Sequence, residues 1–100
     1  MHLHKAVEKL EAAWGDEAGF LFKLRMGEFD SSRANEFVAL LQELDVDEGS
    51  PIDRRTVSLL WYLPAFIRWQ RERVAPGLID ELDRLETLVM NELERILGVP

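Results

Sequence analysis

The chain is 100 residues long, the length of one domain, and carries a formal net charge of −7 at pH 7. Because it has no cysteine, disulfides, thiolate metal sites and cysteine nucleophiles are all excluded. An apolar fraction of 47% and a charged fraction of 31% are typical of a folded protein rather than a disordered one. The acidic balance disfavours phosphate backbones and anionic lipid surfaces, so we expect neither a nucleic acid nor a membrane as partner.

The longest apolar run covers residues 59–67, whereas a membrane span needs about 20 apolar residues. Charges interrupt the N-terminal segment every few positions, unlike the apolar centre of a signal peptide. The lack of cysteine fits a reducing compartment. We therefore expect residues 1–100 to form a single helical domain in the cytoplasm.

The first segment has apolar residues spaced by three and four, which predicts one helix from about His4 to Met26. Each interior glycine costs about 1 kcal/mol relative to alanine, so a break near Gly15 is the alternative. Gly27 is well placed to end this helix with a positive φ. The apolar stripe consists of Leu3, Val7, Leu10, Trp14, Ala18 and Leu21.

A second helix is predicted from about Ser32 to Leu44, with Asp30 and Ser31 as further capping candidates. The acidic segment that follows, residues 45–49, breaks the pattern and is predicted to be a loop. The apolar stripe of this helix consists of Phe37, Leu40, Leu41 and Leu44.

A third helix is predicted to extend to about Val74. Ser50 is the expected N-cap, with Pro51 at the first helical position and Asp53 in the first turn. Pro64 removes one backbone hydrogen bond and predicts a kink. Because the apolar phase continues on both sides of Pro64, we expect the helix to bend there without ending.

A fourth helix is predicted from about Leu78 to Leu97, where Gly98 ends it. Four helices with short connections predict an all-α fold. We expect a four-helix antiparallel bundle with a kinked, mostly apolar third helix.

The third helix has two apolar faces on a helical wheel. The face expected in the core consists of Leu59, Leu60, Leu63, Phe66, Ile67 and Val74. A second stripe follows Ser58, Tyr62, Ala65 and Trp69, with Val57 and Trp61 along its edge. Either the other helices enclose this stripe, or it is an exposed surface that binds another molecule. In the second case Tyr62 and Trp69 are the expected anchors, with a groove at the small Ser58 and Ala65.

The charges are segregated along the chain. Residues 53–73 carry five arginines against two acids, whereas residues 28–50 carry seven acids against one arginine. Complementarity between neighbouring helices of one chain is one explanation. The other is that acidic side chains after the second helix meet a protein partner with a basic surface. These side chains are Glu43, Asp45, Asp47 and Glu48.

No catalytic or metal-binding arrangement is recognisable. The histidines, His2 and His4, are two residues apart, so one helix cannot aim both at one metal ion. The serines have no histidine partner for a Ser–His hydrolase. The acidic segment differs from an EF-hand loop, because Gly49 comes one position early and Thr56 stands where a glutamate is required. We expect no enzyme activity, no cofactor and no bound metal.

In size, acidity and helicity the chain resembles the general format of small bacterial inhibitor proteins, including immunity proteins that neutralise nuclease toxins. No motif carries this likeness, so it assigns no role to any residue. We expect a non-catalytic protein-binding module that acts through a helical surface. One alternative is a structural or adaptor subunit that binds its own copy, for example as a homodimer. The other is a ligand-binding protein with a closed pocket lined by Trp14, Phe22, Trp61 and Phe66.

Overall fold

The computed structural model describes residues 3–47 and 49–100, apart from the side chains of Leu3 and His4. Within this part of the chain every regular element is a helix, as predicted. The α-helices are α1 Leu3–Gly15, α2 Phe20–Arg25, α3 Ser31–Gln42, α4 Arg54–Leu60, α5 Leu63–Trp69 and α6 Ile79–Leu97. Two short 3₁₀ turns, Gln70–Glu72 and Pro76–Leu78, lie between α5 and α6. α1 and α2 form a bent first helix, and α4 and α5 form a bent third helix, so the four-helix prediction is confirmed.

The first helix is broken directly after Gly15, which is the alternative that the sequence suggested for this segment. A short turn joins α1 to α2, and in it Gly19 is buried against the end of α1. A Cβ atom at Gly19 would lie 2.4 Å from the carbonyl oxygen of Ala12, so no larger residue fits there. Ala18, which the uninterrupted helix would place in the core stripe, is exposed on this turn.

Aspartate side chains cap α3 and α4. The carboxylate of Asp30 accepts the N–H of Ser32 at 2.9 Å, and that of Asp53 accepts the N–H of Thr56 at 2.7 Å. The pKa of each carboxyl lies below its ordinary value, mainly because of a hydrogen bond to the side chain of Ser32 or Thr56, respectively. The predicted cap at Ser50 is wrong, because Asp53 takes the capping position and the helix begins after it.

The bend in the third helix lies at Trp61 and Tyr62. Both residues keep right-handed helical angles, φ −61° and ψ −30° for Trp61 and φ −80° and ψ −14° for Tyr62. The N–H of Trp61 bonds to the carbonyl of Val57, and the N–H of Phe66 to that of Tyr62, each at 2.9 Å. The third helix therefore bends next to Pro64 while its backbone keeps a helical course.

The first and third helices lie side by side and run parallel. Towards one end, Nε of Arg55 lies 3.2 Å from Oε1 of Glu11. Further along both helices, the guanidinium carbon of Arg25 lies 5.5 Å from the centre of the Phe66 ring. Residues later in the first helix thus contact residues later in the third helix, as expected for parallel helices.

α3 and α6 also run parallel. Ser31, at the start of α3, hydrogen-bonds to Glu81 in the first turn of α6. Near the other end, Arg95 of α6 donates to the carbonyl of Leu41 at 2.8 Å. Helices that follow one another in the chain run antiparallel, and the contacts between helices give the order first, third, fourth, second around the bundle.

The core contains the predicted apolar stripes. All six residues expected on the inner face of the third helix are buried, with exposures of 5% or less. Burying one large aliphatic side chain contributes roughly 1.5–3 kcal/mol. The fully buried side chains include Leu10, Leu21, Leu24, Leu41, Leu60, Ile67, Leu82 and Val89.

Candidate binding surface on the third helix

Three aromatic side chains cluster on the solvent side of the bend in the third helix. Trp61 is 60% exposed and Trp69 is 63% exposed, while Tyr62 is half-buried. The Tyr62 ring meets both indoles edge-on, with centroid distances of 5.4 Å to Trp61 and 5.7 Å to Trp69. Contiguous exposed aromatic rings of this kind mark interaction sites on soluble domains. We call Trp61, Tyr62 and Trp69 the aromatic surface.

A buried layer supports the aromatic surface from below. Trp14 of α1 meets Phe66 edge-on at a centroid distance of 4.7 Å and lies 6.4 Å from Tyr62. Its indole N–H donates to the carbonyl oxygen of Leu59 at 3.0 Å. The Tyr62 ring therefore packs between Trp14 below it and the two outer indoles, each of which touches it edge-on.

The remaining residues of the predicted stripe border this surface. Ser58 is exposed, and its hydroxyl donates to the carbonyl of Arg55 at 2.8 Å. Ala65 is half-buried and lies between Trp61 and Trp69 at steps of four residues. The neighbouring helices therefore do not enclose the stripe, and the exposed alternative describes the single chain.

Trp61 belongs to the surface, although the sequence placed it only on the edge of the stripe. Arg54, Trp61 and Arg68 are spaced by seven residues, about two helical turns, and all three are exposed. Neither arginine forms an ion pair with another described residue. The seven-residue spacing of these large side chains is visible in the sequence and could have identified Trp61 as part of the exposed surface.

The acidic residues predicted as contacts lie elsewhere. Glu43, Asp45 and Asp47 are exposed beyond the end of α3, and Glu48 lies outside the described residues. Glu43 lines a groove on the α3 side of α1, whereas Trp14, on the other side of α1, contacts the third helix. The structure therefore places α1 between Glu43 and the aromatic surface.

The groove between α1 and α3 has a volume of about 580 Å³. Small side chains form much of its wall, and charged side chains stand at its rim. Its lining includes Lys9, Ala12, Ala13, Asp16, Gly19, Arg33, Glu36 and Glu43. The aromatic residues of the ligand-binding alternative do not enclose a pocket, because Trp61 is exposed and Trp14 packs directly on Phe66.

The described residues contain no group of three or more Asp, Glu or His side chains that could hold a metal ion. His2 and the side chain of His4 lie outside that description. Among the helices that the structure describes, none is long and apolar enough to cross a membrane.

No known protein family, curated protein or solved structure matches the chain. Functional inference therefore rests on the geometry of the chain itself.

Proposed function

We propose that this protein is a non-catalytic protein-binding module and that the aromatic surface is its binding site. The observation that carries the proposal is the exposure of two tryptophans in contact with one tyrosine on a single helix face. A large aromatic side chain has about 150–250 Å² of surface. At about 25 cal/mol per Å², covering the exposed part of each indole contributes roughly 2–4 kcal/mol to binding.

The support beneath the surface favours binding as well. Trp14 is fixed by its hydrogen bond to Leu59, and Tyr62 lies between Trp14 and the outer indoles. Rings that are already positioned lose little freedom when a partner covers them, which lowers the entropic cost of association. Tyrosine and tryptophan are enriched among the residues that dominate binding energies for this reason.

The polar groups beside the aromatic surface favour binding over catalysis. The guanidinium groups of Arg54 and Arg68 donate hydrogen bonds and attract carboxylates, which suits contacts with a partner. The hydroxyl of Ser58 already donates to a backbone carbonyl. These groups can orient a protein partner around an apolar centre.

The proposed site leaves out the acidic residues after α3, of which Glu43 lies on the opposite side of α1 from the aromatic surface. An inhibitor of immunity type is one form of the proposed module. In that form Glu43, Asp45 and Asp47 would make a separate contact with a basic region of the partner.

Site-specific photocrosslinking in the native host tests the proposal. A crosslinking amino acid replaces Ser58, at the edge of the aromatic surface, and in a matched control replaces Asn91, which is exposed on α6. We expect a discrete protein adduct at position 58 that is absent at position 91. The adduct should disappear when Trp69→Ala is added, while the melting temperature stays within a few degrees of the parent. Equal adducts at both positions, or none at position 58, would contradict the proposed function.

A further inference from the structure

We propose that the aromatic surface binds a second copy of this chain, forming a symmetric dimer in which the two third helices pack antiparallel. This inference rests on the proposed function and names its partner. It follows from one line of side chains on the third helix. Their sizes and charges complement those of the same line in a second, antiparallel copy of the helix.

The line consists of Arg54, Trp61, Ala65 and Glu72. At 100° per residue, Arg54, Trp61 and Ala65 lie within about 40° of one another on the outer side of the third helix. Glu72 follows α5 in the 3₁₀ turn Gln70–Glu72, which at about 120° per residue keeps it on the same side. The side chains of Arg54, Trp61 and Glu72 are exposed, and that of Ala65 is half-buried. Because the backbone stays right-handed through the bend, the line continues from α4 into α5.

The sizes along this line match under a two-fold rotation. Consider an antiparallel pair whose two-fold axis passes at the level of Leu63 along the helix. A residue a given number of positions before Leu63 then faces the residue the same number of positions after Leu63 in the second copy. Trp61 stands two residues before Leu63 and Ala65 two residues after it. The projecting indole of one copy therefore meets the small side chain of the other, and a two-fold axis makes this contact twice.

The charges match in the same register. Arg54 precedes Leu63 by nine residues and Glu72 follows it by nine. Arg54 of one copy therefore faces Glu72 of the second copy at each end of the helix pair. Neither side chain forms an ion pair inside its own chain, as far as the structure describes it, so both are available.

The size of the contact sets its strength. The four exposed indoles of a dimer supply several hundred Å², from about 150–250 Å² for each ring. Stable interfaces bury about 1,200–2,000 Å² in total, so a helix pair of this kind lies towards the low end. We expect a dimer with a dissociation constant in the micromolar range.

Charge reversal with sedimentation equilibrium tests this register. Arg54→Glu alone faces Glu72 with a like charge at both ends, and Glu72→Arg alone faces Arg54 in the same way. Each single variant should weaken dimerisation at least about tenfold, because like charges in contact are strongly unfavourable. The double variant restores opposite charges and should dimerise within about threefold of the parent. Arg84→Glu and Glu94→Arg, exposed positions on α6, make the same changes in net charge and should have no such effect.

Three outcomes would overturn the inference. The parent chain could stay monomeric up to about 1 mM, well above the expected dissociation constant. The dimer could form equally well in both single variants, or the double variant could fail to recover it while melting normally. An adduct at position 58 with a different protein, together with a monomeric parent, overturns the dimer but leaves the proposed function standing.

Discussion

The indole N–H of Trp14 donates a hydrogen bond to the backbone carbonyl of Leu59, with 3.0 Å between nitrogen and oxygen. This contact ties the end of α1 to the last turn of α4, immediately before the bend at Trp61 and Tyr62. The same indole packs on Phe66 beneath Tyr62. One half-buried tryptophan thus contacts both the helix turn before the bend and the rings beneath the aromatic surface.

Replacing Trp14 should test how much this tie stabilises the fold. Trp14→Phe keeps an aromatic ring but loses the N–H donor to Leu59, so we expect the free energy of unfolding to fall by about 1–3 kcal/mol. Trp69→Phe, at an exposed indole, is the matched control and should change it by less than about 0.5 kcal/mol. Denaturant unfolding measures both values, and equal small effects would show that the Trp14 hydrogen bond is not a stabilising contact.

Two glycines at the turn after α1 should respond in opposite ways to substitution by alanine. A Cβ at Gly19 would meet the carbonyl oxygens of Ala12 and Ala13 at 2.4 Å and 2.5 Å, so Gly19→Ala should be destabilising by about 1–3 kcal/mol. Nothing lies within 4 Å of a Cβ at Gly15, the last residue of α1. Gly15→Ala should therefore be neutral or stabilise by up to about 1 kcal/mol. Thermal unfolding of the two variants distinguishes them, and a stable Gly19→Ala protein would contradict the observed turn.

The cap at Asp53 should make stability depend on pH. The hydrogen bonds from Thr56 lower the pKa of this carboxyl below 3.8 in the folded state. The contribution of Asp53 is therefore present above pH 3.8 and is lost as the pH falls through the lowered folded value. Asp53→Asn keeps an acceptor without titrating, so the stability difference from the parent should shrink in acid. Ser50→Ala should leave the stability close to that of the parent, because Asp53 caps the helix, whereas a clear loss of stability in Ser50→Ala would support the helix start expected from the sequence.

Arg95 should stabilise the end of α3. Its guanidinium donates to the carbonyls of Leu44 at 3.1 Å and Leu41 at 2.8 Å, where α3 ends. Arg95→Lys keeps the charge but cannot bridge two carbonyls, so we expect a loss of about 1 kcal/mol in unfolding free energy. Arg84→Lys on the exposed side of α6 is the control and should be close to neutral. No loss of stability in Arg95→Lys would show that the charge of Arg95 is sufficient and that its two hydrogen bonds to backbone carbonyls are not stabilising.

Features set by local patterns could be predicted from the sequence. Apolar spacing predicts the helices and the buried face of the third helix, and Pro64 predicts the bend. Gly27 and Gly98 both take positive φ where helices end, as expected.

Features set by contacts between distant residues could not be predicted in this way. The buried position of Gly19, in the turn that follows the break after Gly15, depends on the close approach of backbone atoms from α1. Asp53 and Ser50 are both suitable caps, and periodicity does not choose between them. An ideal wheel also places Trp61 only on the edge of the stripe, because it does not show which neighbouring helices leave that edge open.

The most direct test of the central claim is the solvent accessibility of the three tryptophans, measured by hydroxyl-radical footprinting. Labelling is compared between the dilute purified chain and the same chain in its native host cells. The account predicts strong labelling of Trp61 and Trp69 in dilute solution and protection of both in cells. Trp14, which is half-buried within the single chain, should be labelled equally in the two samples. Unchanged labelling of Trp61 and Trp69 in cells would show that no partner covers the aromatic surface and would contradict the account.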